Sequence, residues 1–263
     1  GGDPSCGSPS RLMAAAATGS TSGPPTTLEV SSGVATIVLN RPEEKNALGG
    51  ALMNSLGDNL KAAMNDAAAR VIVLTNAGNT FCAGANLKGA GEAPRYNLVD
   101  IFGMMHEGPK VVVGKINGHC TGGGVGLAAA CDISVINSAC DMGFTEVRIG
   151  VAPAVISVVC LPKMRRADAA ELMLSGEKIP ASKAVQVGLV NYAAPPEELD
   201  AKVEAIVAKV VRGGPNALAA TKSLVYRVPG MPVAEAFRWT ADLSLRCFAS
   251  QEAKDGIRAF SKR

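Results

Sequence analysis

KINGHCTGGGVGLAAAC, residues 115–131, is the stretch that decides the fold. The run Val111–Ile116 is apolar and predicts a buried strand, which Asn117 and Gly118 end. Gly122–Gly124 then lead into a predicted small-residue helix over Val125–Cys131. The first N–H groups of a helix lack internal partners and, with the helix dipole, attract a negative oxygen. The alternative is that these glycines only allow tight helix packing.

A second stretch, NTFCAGANLK at residues 79–88, repeats this arrangement. It follows the apolar run Val71–Thr75, so a strand again leads into a turn of small residues. Two such turns can each offer one backbone N–H to the same oxygen, which makes an oxyanion hole. The pair of stretches therefore predicts a site that stabilises a developing negative oxygen.

Three further stretches complete a family pattern: NRPEEKNAL at 40–48, GFTEVRIG at 143–150 and EAKDGIRAF at 252–260. The five motifs, in this order and spacing, resemble the crotonase family, the enoyl-CoA hydratase/isomerase superfamily, from about Leu28 to the C-terminus. The resemblance implies an α/β fold of the ClpP/crotonase type, with repeated ββα units in a spiral core and a helical C-terminal trimerisation region. Within the family, the chain is most similar to methylglutaconyl-CoA hydratase-like members, which lack the first catalytic glutamate.

The hydrophobic pattern predicts the order of elements. A hairpin over 28–39 precedes a helix over 48–67, whose apolar residues recur at helical spacing, and the strand 71–75 follows. Strand, helix and strand at this spacing indicate a right-handed βαβ unit. After Pro153 the pattern predicts helices and almost no strands. We expect a disordered segment over 1–27, a ββα core with the active site over 28–195, and a helical trimerisation region over 196–263.

Composition restricts the class of protein. The 263 residues are 48% hydrophobic with a formal net charge of +3, which argues against a nucleic-acid partner. No apolar run reaches the length of a membrane span, so we expect no membrane partner. Seven cysteines without pairing or ligand spacing and two histidines predict a cytoplasmic protein without a metal. We expect no separate cofactor, since the CoA is part of the substrate.

The resemblance assigns the catalytic groups. It implies that the backbone N–H groups of Ala85 and Gly123 hold the thioester oxygen and that Glu146 is the general acid and base. Small and apolar neighbours would partly bury Glu146 and raise its pKa. The alternative for this carboxylate is an ion pair with Arg148.

One residue departs from the best-known family pattern. Hydratases with two glutamates carry the other one two residues after the glycine triplet, where this chain has Gly126. With a single acid, moving a proton between two carbons is the easier reaction. The resemblance instead favours water addition, in which His119 or Glu92 would help Glu146 to hold the water. We predict an enoyl-CoA hydratase. The alternatives are a Δ3-Δ2 enoyl-CoA isomerase that uses Glu146 and a non-catalytic acyl-CoA-binding protein.

The resemblance also implies where CoA binds. The substrate phosphates and adenine favour cationic and apolar residues near the two turns, and a homotrimer or a dimer of trimers would bring in part of a neighbouring tail. The segment 89–95 would form the wall over the acyl group. Asn86 stands where many members have Asp, and no role is assigned to it. The predicted CoA-binding residues are Lys45, Ala47, Ala83, Leu87, Lys88 and Phe248.

Overall fold

The computed structural model describes residues 23–87 and 91–261. The strands in this part of the chain are β1 Thr26–Ser31, β2 Val34–Leu39, β3 Val71–Asn76, β4 Thr80–Cys82, β5 Val111–Ile116, β6 His119–Thr121, β7 Ile133–Asn137, β8 Asp141–Gly143, β9 Lys178–Pro180 and β10 Tyr192–Ala194. The helices are α1 Gly50–Asn65, α2 Leu98–Glu107, α3 Gly123–Ala130, α4 Ala154–Cys160, α5 Arg166–Ser175, α6 Ala181–Gln186, α7 Leu199–Val210, α8 Pro215–Arg227, α9 Val233–Ala249 and α10 Gln251–Phe260. Of the predicted disordered segment 1–27, residues 1–22 lie outside the described residues, whereas Thr26 and Thr27 already belong to β1.

The strands form two sheets that the chain visits in turn. The larger sheet has the order β1-β2-β3-β5-β7-β10, and the smaller has the order β4-β6-β8-β9. In the larger sheet only β1 and β2 pair antiparallel, and in the smaller sheet β4, β6 and β8 run parallel. Three successive circuits place one strand in each sheet before a helix: β3, β4 and α2, then β5, β6 and α3, then β7, β8 and α4. This confirms the predicted spiral of ββα units.

The central strands are apolar because both of their faces are covered. Every residue of β3 and β5 is buried. Valines on one face pack against α7, whose Leu199, Val203 and Val207 share their cluster. The opposite face contributes Ile72 and Leu74 to the larger core. Parallel strands buried on both sides read as continuous apolar runs, which explains why these two were visible in the sequence.

One helix start differs from the predicted one, and another is fixed by a capping box. The helix expected over 48–67 begins at Gly50, because Leu48 donates its N–H to the Gly84 carbonyl at 2.7 Å and pairs with Ala85. Helix α2 begins after Asn97, whose side chain forms a reciprocal capping box with Asp100. Capping interactions and bridges of this kind decide helix ends more than apolar spacing does.

The prediction of almost no strands after Pro153 is wrong in detail. Strand β9 pairs with β8, and β10 extends the larger sheet by pairing with β7. Both strands are three residues long, which is too short to show a period of two in the sequence. The boundary between 195 and 196 stays a prediction. Among the described residues, α9 and α10 have no buried member.

A buried ion pair attaches α8 to the core. The Lys222 ammonium donates to Asp132 Oδ2 at 2.7 Å and to the Lys110 carbonyl at 2.7 Å. The lysine side chain is 4% exposed and the aspartate side chain 12%. Asp132 also accepts the Tyr226 hydroxyl and the Val112 N–H. The Asp132 carboxylate therefore links α8 to β5, because it accepts hydrogen bonds from both elements.

Replacing Lys222 with alanine is expected to lower the free energy of unfolding by about 3–5 kcal/mol, because the Asp132 carboxylate would stay buried without its counter-ion. Denaturant unfolding measures this difference. Arg258→Ala is the matched control, since its pair with Asp255 is exposed and should change stability by less than about 1 kcal/mol. Equal effects of the two substitutions would contradict the role of Lys222.

Candidate active site

The first glycine turn joins β6 to α3. Gly122 has φ +54°, a region that favours glycine, and its N–H donates to the Gly143 carbonyl at 3.1 Å. A Cβ at Gly124 would lie 2.0 Å from the Cys82 carbonyl oxygen, so the helix backbone touches β4 directly. Gly123 is the first residue of α3, where an N–H has no acceptor within the helix.

The second turn follows β4 and lies against the first. Gly84 has φ +83°, and a Cβ there would lie 2.9 Å from the Thr121 carbonyl and 3.1 Å from the Gly123 nitrogen. The Cys82 sulfur accepts the Gly84 N–H at 3.4 Å. Among residues 23–87 and 91–261, no hydrogen bond runs from the Ala85 or Gly123 N–H to another residue. The structure therefore brings together two turns, each with a backbone donor that has no acceptor among the described residues.

The Glu146 carboxylate lies beside these turns. It belongs to a 3-10 helix over Thr145–Ile149, and its Oε1 is 3.2 Å from where a Cβ on Gly122 would stand. Burial raises the pKa of Glu146 above the usual glutamate value. Its Oε2 is buried with no hydrogen-bond partner among the described residues. A partly buried carboxylate with one unpartnered oxygen is a candidate for proton transfer.

Arg148, the partner considered for Glu146, binds another residue. Its guanidinium donates to the Glu177 carboxylate, and both of these side chains are largely exposed. The ion pair between Glu146 and Arg148 is therefore absent from the structure. In the part of the chain that the structure describes, Glu146 is therefore in no ion pair that would counter the effect of burial on its pKa.

Gly126 lies on α3 three residues after Gly123. A Cβ at this position would lie 2.5 Å from Ile156 Cγ2 and 2.9 Å from Phe102 Cζ. The side chains of α2 and α4 thus fill the space in which a glutamate at position 126 would have to stand. The absence of a glutamate at position 126 is therefore consistent with the packing of Phe102 and Ile156 against α3.

His119 and Glu92, the two possible helpers, have structural partners. His119 Nδ1 accepts the Asp141 N–H at 3.0 Å, at the start of β6. Glu92 Oε1 accepts the amide of Asn54 on α1 at 2.7 Å. In the described part of the chain, no hydrogen bond joins either side chain to Glu146. The geometry does not bring them into one cluster.

Most of the predicted CoA-binding residues lie near the second turn. Lys45 is exposed, and its carbonyl accepts the Ala83 N–H at 3.0 Å. Ala47 and Ala83 are half-buried, and Leu87 is 75% exposed. Lys88 lies outside the described residues, as do residues 89 and 90 of the predicted acyl wall.

Phe248 is separate from that group within one chain. It lies on α9 and is exposed, and it lines a cavity between α8 and α10 together with Arg70, Asn216 and Glu252. None of the other predicted CoA-binding residues that the structure describes lines this cavity. A role in CoA binding for Phe248 therefore depends on a neighbouring subunit, as the sequence analysis assumed.

Asn46 is a residue of the site that the sequence analysis did not single out. It is fully buried with φ +50°, its Oδ1 accepts the Arg41 N–H, and its Nδ2 donates to the Ala77 and Thr80 carbonyls. These bonds hold the loop that carries Lys45 against β4. The only signal for it in the sequence is the asparagine after a charged run, which is typical of a turn.

Two further classes of site receive no support from the described residues. They contain no group of three or more His, Cys, Asp or Glu side chains arranged to hold a metal ion. None of their helices combines the length and apolar character needed to cross a bilayer.

The spiral of ββα units and the paired glycine turns define a protein of the crotonase fold. The sequence model of the family described as enoyl-CoA hydratase/isomerase matches residues 29–263, and the chain therefore belongs to that family. The family part of the resemblance is confirmed. The subgroup that lacks the first glutamate stays a prediction.

Individual relatives agree with this assignment. A protein of Thermus thermophilus is 35% identical over 237 residues, which are 86% of this chain and 94% of that protein. The crotonyl-CoA hydratase of Syntrophomonas wolfei is 29% identical, with 89% of this chain and 93% of that protein covered. The crystal structure of an enoyl-CoA hydratase from Mycobacterium tuberculosis superposes with a TM-score of 0.85 at 30% identity, covering 92% of this chain and 97% of that one.

Proposed function

We propose that this protein is an enoyl-CoA hydratase, which adds water reversibly to a 2-enoyl-CoA thioester and yields a 3-hydroxyacyl-CoA. The observation that carries the proposal is the Glu146 carboxylate, which lies against Gly122 with a buried oxygen that has no partner among the described residues. A general base needs this kind of free, partly desolvated carboxylate next to the reacting atoms.

The proposed reaction uses three groups. The N–H groups of Ala85 and Gly123 donate to the thioester oxygen, which gains negative charge as the enolate forms. Glu146 takes a proton from water while the water oxygen bonds to C3 of the double bond. The same carboxyl group then returns a proton to C2, so that water is added across the two carbons and Glu146 is regenerated.

Double-bond isomerisation of a 3-enoyl-CoA is the second candidate function, and the packing at Gly126 favours it. Ile156 and Phe102 exclude a second carboxylate from that position, so no paired acid holds a water there. In this reaction Glu146 removes a proton from C2 and delivers one to C4. The same two N–H groups stabilise the dienolate between these steps.

Parallel assays on one preparation test the proposal. Crotonyl-CoA and a 3-methylglutaconyl-type thioester report water addition, and a 3-enoyl-CoA reports the shift of the double bond. Hydration well above isomerisation is expected. Isomerisation alone would replace the proposal with its second candidate, and binding of thioesters without turnover would identify a non-catalytic acyl-CoA-binding protein.

The pH dependence of kcat/KM provides a further prediction. Glu146 must be ionised to take a proton from water, and burial raises its pKa. Activity is therefore expected to fall on the acid side, with a midpoint above the usual glutamate pKa of about 4.3. Steady-state rates with crotonyl-CoA at a series of acidic pH values measure this midpoint. A midpoint at or below the usual value would contradict a buried base.

The remaining parts of the proposal concern binding and assembly. CoA would bind along Lys45, Ala47, Ala83, Leu87 and Lys88, with Phe248 from a neighbouring subunit, and no further cofactor is required. A homotrimer or a dimer of trimers is supported by the apolar side chains that α9 and α10 expose, such as Phe237 and Phe260.

The cellular setting belongs to the same proposal. We place the enzyme in the cytoplasm, in fatty acid or other lipid metabolism. The six cysteines among the described residues are all free, which supports a reducing compartment.

A further inference from the structure

Helices α2 and α3 run side by side away from the glycine turns. At the near end, Leu98 Cδ1 is 3.6 Å from the position of a Cβ on Gly123. At the far end, the ring of His106 stacks on Tyr226 at 4.0 Å, and the Tyr226 hydroxyl donates to Asp132, just beyond α3. The two helices therefore border one path, from the proposed oxyanion hole to the ion pair of α8.

Helix α4 borders the same path from the other side. Ile156 meets α3 at Gly126, and Lys163, after the end of α4, donates to the Cys131 carbonyl at 3.1 Å. Halfway along, Phe102 and Ile156 both reach the α3 backbone, and each is at most 5% exposed. Gly126 has no side chain to hold them apart from that backbone, so they close the path there.

A cavity of about 960 Å³ lies beyond this closure. Neither Phe102 nor Ile156 lines it, although their helical neighbours His106 and Val159 do. Its lining combines apolar residues with charged and polar ones. The lining includes His106, Val159, Pro162, Lys163, Lys222 and Tyr226.

We propose that Phe102 and Ile156 form the inner end of the acyl pocket and restrict this enzyme to short-chain enoyl-CoA thioesters. Three residues of helix separate Gly123 from Gly126, about 4.5 Å along the axis, which leaves room for a short acyl group only. The cavity behind the closure receives a longer chain once the contact is opened. The inference rests on the proposed binding of an acyl-CoA at the two turns.

A chain-length series tests this inference. The wild-type kcat/KM is expected to be at least about tenfold higher with crotonyl-CoA than with the ten-carbon 2-decenoyl-CoA. Phe102→Ala is expected to shift this ratio by at least about tenfold towards 2-decenoyl-CoA. Phe102→Leu and Ile156→Ala are expected to shift the same ratio in the same direction, but by a smaller factor. These two variants test the inference if Phe102→Ala does not fold.

Met105→Ala is the matched control, since Met105 is fully buried on the same helix but lines neither the closure nor the cavity. It should lower stability without changing the chain-length ratio. Equal wild-type rates on the two substrates, or an unchanged ratio in every folded closure variant, would overturn the inference.

Binding separates this inference from the proposed function. The dissociation constants of butanoyl-CoA and decanoyl-CoA, measured by calorimetry, need no turnover. If no substrate is turned over, the proposed function fails. If the wild type binds butanoyl-CoA more tightly than decanoyl-CoA and Phe102→Leu reduces this preference, the role of Phe102 as the end of the pocket is still supported. If the wild type and Phe102→Leu show the same preference, the inference is overturned.

Discussion

Replacement of Glu146 by glutamine is expected to reduce the turnover of an enoyl-CoA by about 10²–10⁴-fold while thioester binding is retained. Glutamine has the shape of glutamate but can neither take a proton from water nor deliver one to carbon. The backbone donors at Ala85 and Gly123 are unaffected, so affinity for the thioester should change little. Steady-state kinetics with crotonyl-CoA and calorimetry with butanoyl-CoA measure the two quantities.

The stability of Glu146→Gln shows whether a loss of turnover comes from the missing acid and base or from unfolding of the protein. Burial raises the pKa of Glu146 in the folded protein, so its contribution to stability is present below the unfolded pKa and is lost as pH rises through the folded pKa. At neutral pH the ionised carboxylate is therefore unfavourable in the fold. Glu146→Gln should be at least as stable as the wild type at pH 7, which denaturant unfolding would measure.

Glu171→Gln is the matched control for charge removal, because Glu171 is exposed on α5. It should leave turnover unchanged. If every thioester is still turned over at the wild-type rate by Glu146→Gln, the proposed acid and base is wrong and the site has to be sought elsewhere.

Replacement of Gly84 by alanine is expected to reduce kcat by about 10²–10³-fold, the usual effect of losing one oxyanion donor. The new Cβ would stand 2.9 Å from the Thr121 carbonyl and 3.1 Å from the Gly123 nitrogen, so the two turns would have to separate. Both partners of the collision are backbone atoms, which cannot turn away as a side chain does. The donors of Ala85 and Gly123 would then no longer meet at one oxygen.

Gly33→Ala separates this effect from backbone strain. Gly33 has φ +81°, close to that of Gly84, and its Cβ would make only an ordinary contact with the Arg70 side chain at 3.5 Å. Both variants should lose about 1–3 kcal/mol of stability from the positive φ. Only Gly84→Ala should lose turnover. A folded Gly84→Ala protein with wild-type kcat would refute the proposed oxyanion hole.

Much of the fold was predictable because its signals are local. The strands β3 and β5 were visible as apolar runs, since both of their faces are buried. The helical stripe of α1 was visible too, and Leu52, Leu56, Leu60 and Met64 are all buried. The glycines of the two turns were recognisable in advance, because positive φ and close backbone approach leave few other residues possible.

The relations between distant residues were not predictable. Arg148 stands two residues from Glu146, which made an ion pair plausible, yet it binds Glu177 after the chain has passed through α4 and α5. The occupation of the space at Gly126 by Phe102 and Ile156 was equally hidden, because the three residues come from three helices. Asn46 supports the loop of Lys45 through carbonyls that lie more than 30 residues away in sequence.

By itself, the sequence of this protein determined its local strands and helices and the two glycine turns, because apolar periodicity and glycine geometry act over a few residues. Its five motifs identified the family, and the resemblance to that family implied the spiral order of the elements. The tertiary structure alone decided that one oxygen of the Glu146 carboxylate has no partner among the described residues, that Gly126 is covered and that a cavity lies behind Phe102 and Ile156. Burial, the pKa it shifts and the shape of a pocket depend on side chains brought together from separate elements. Those contacts exist only once the sheets and helices have packed.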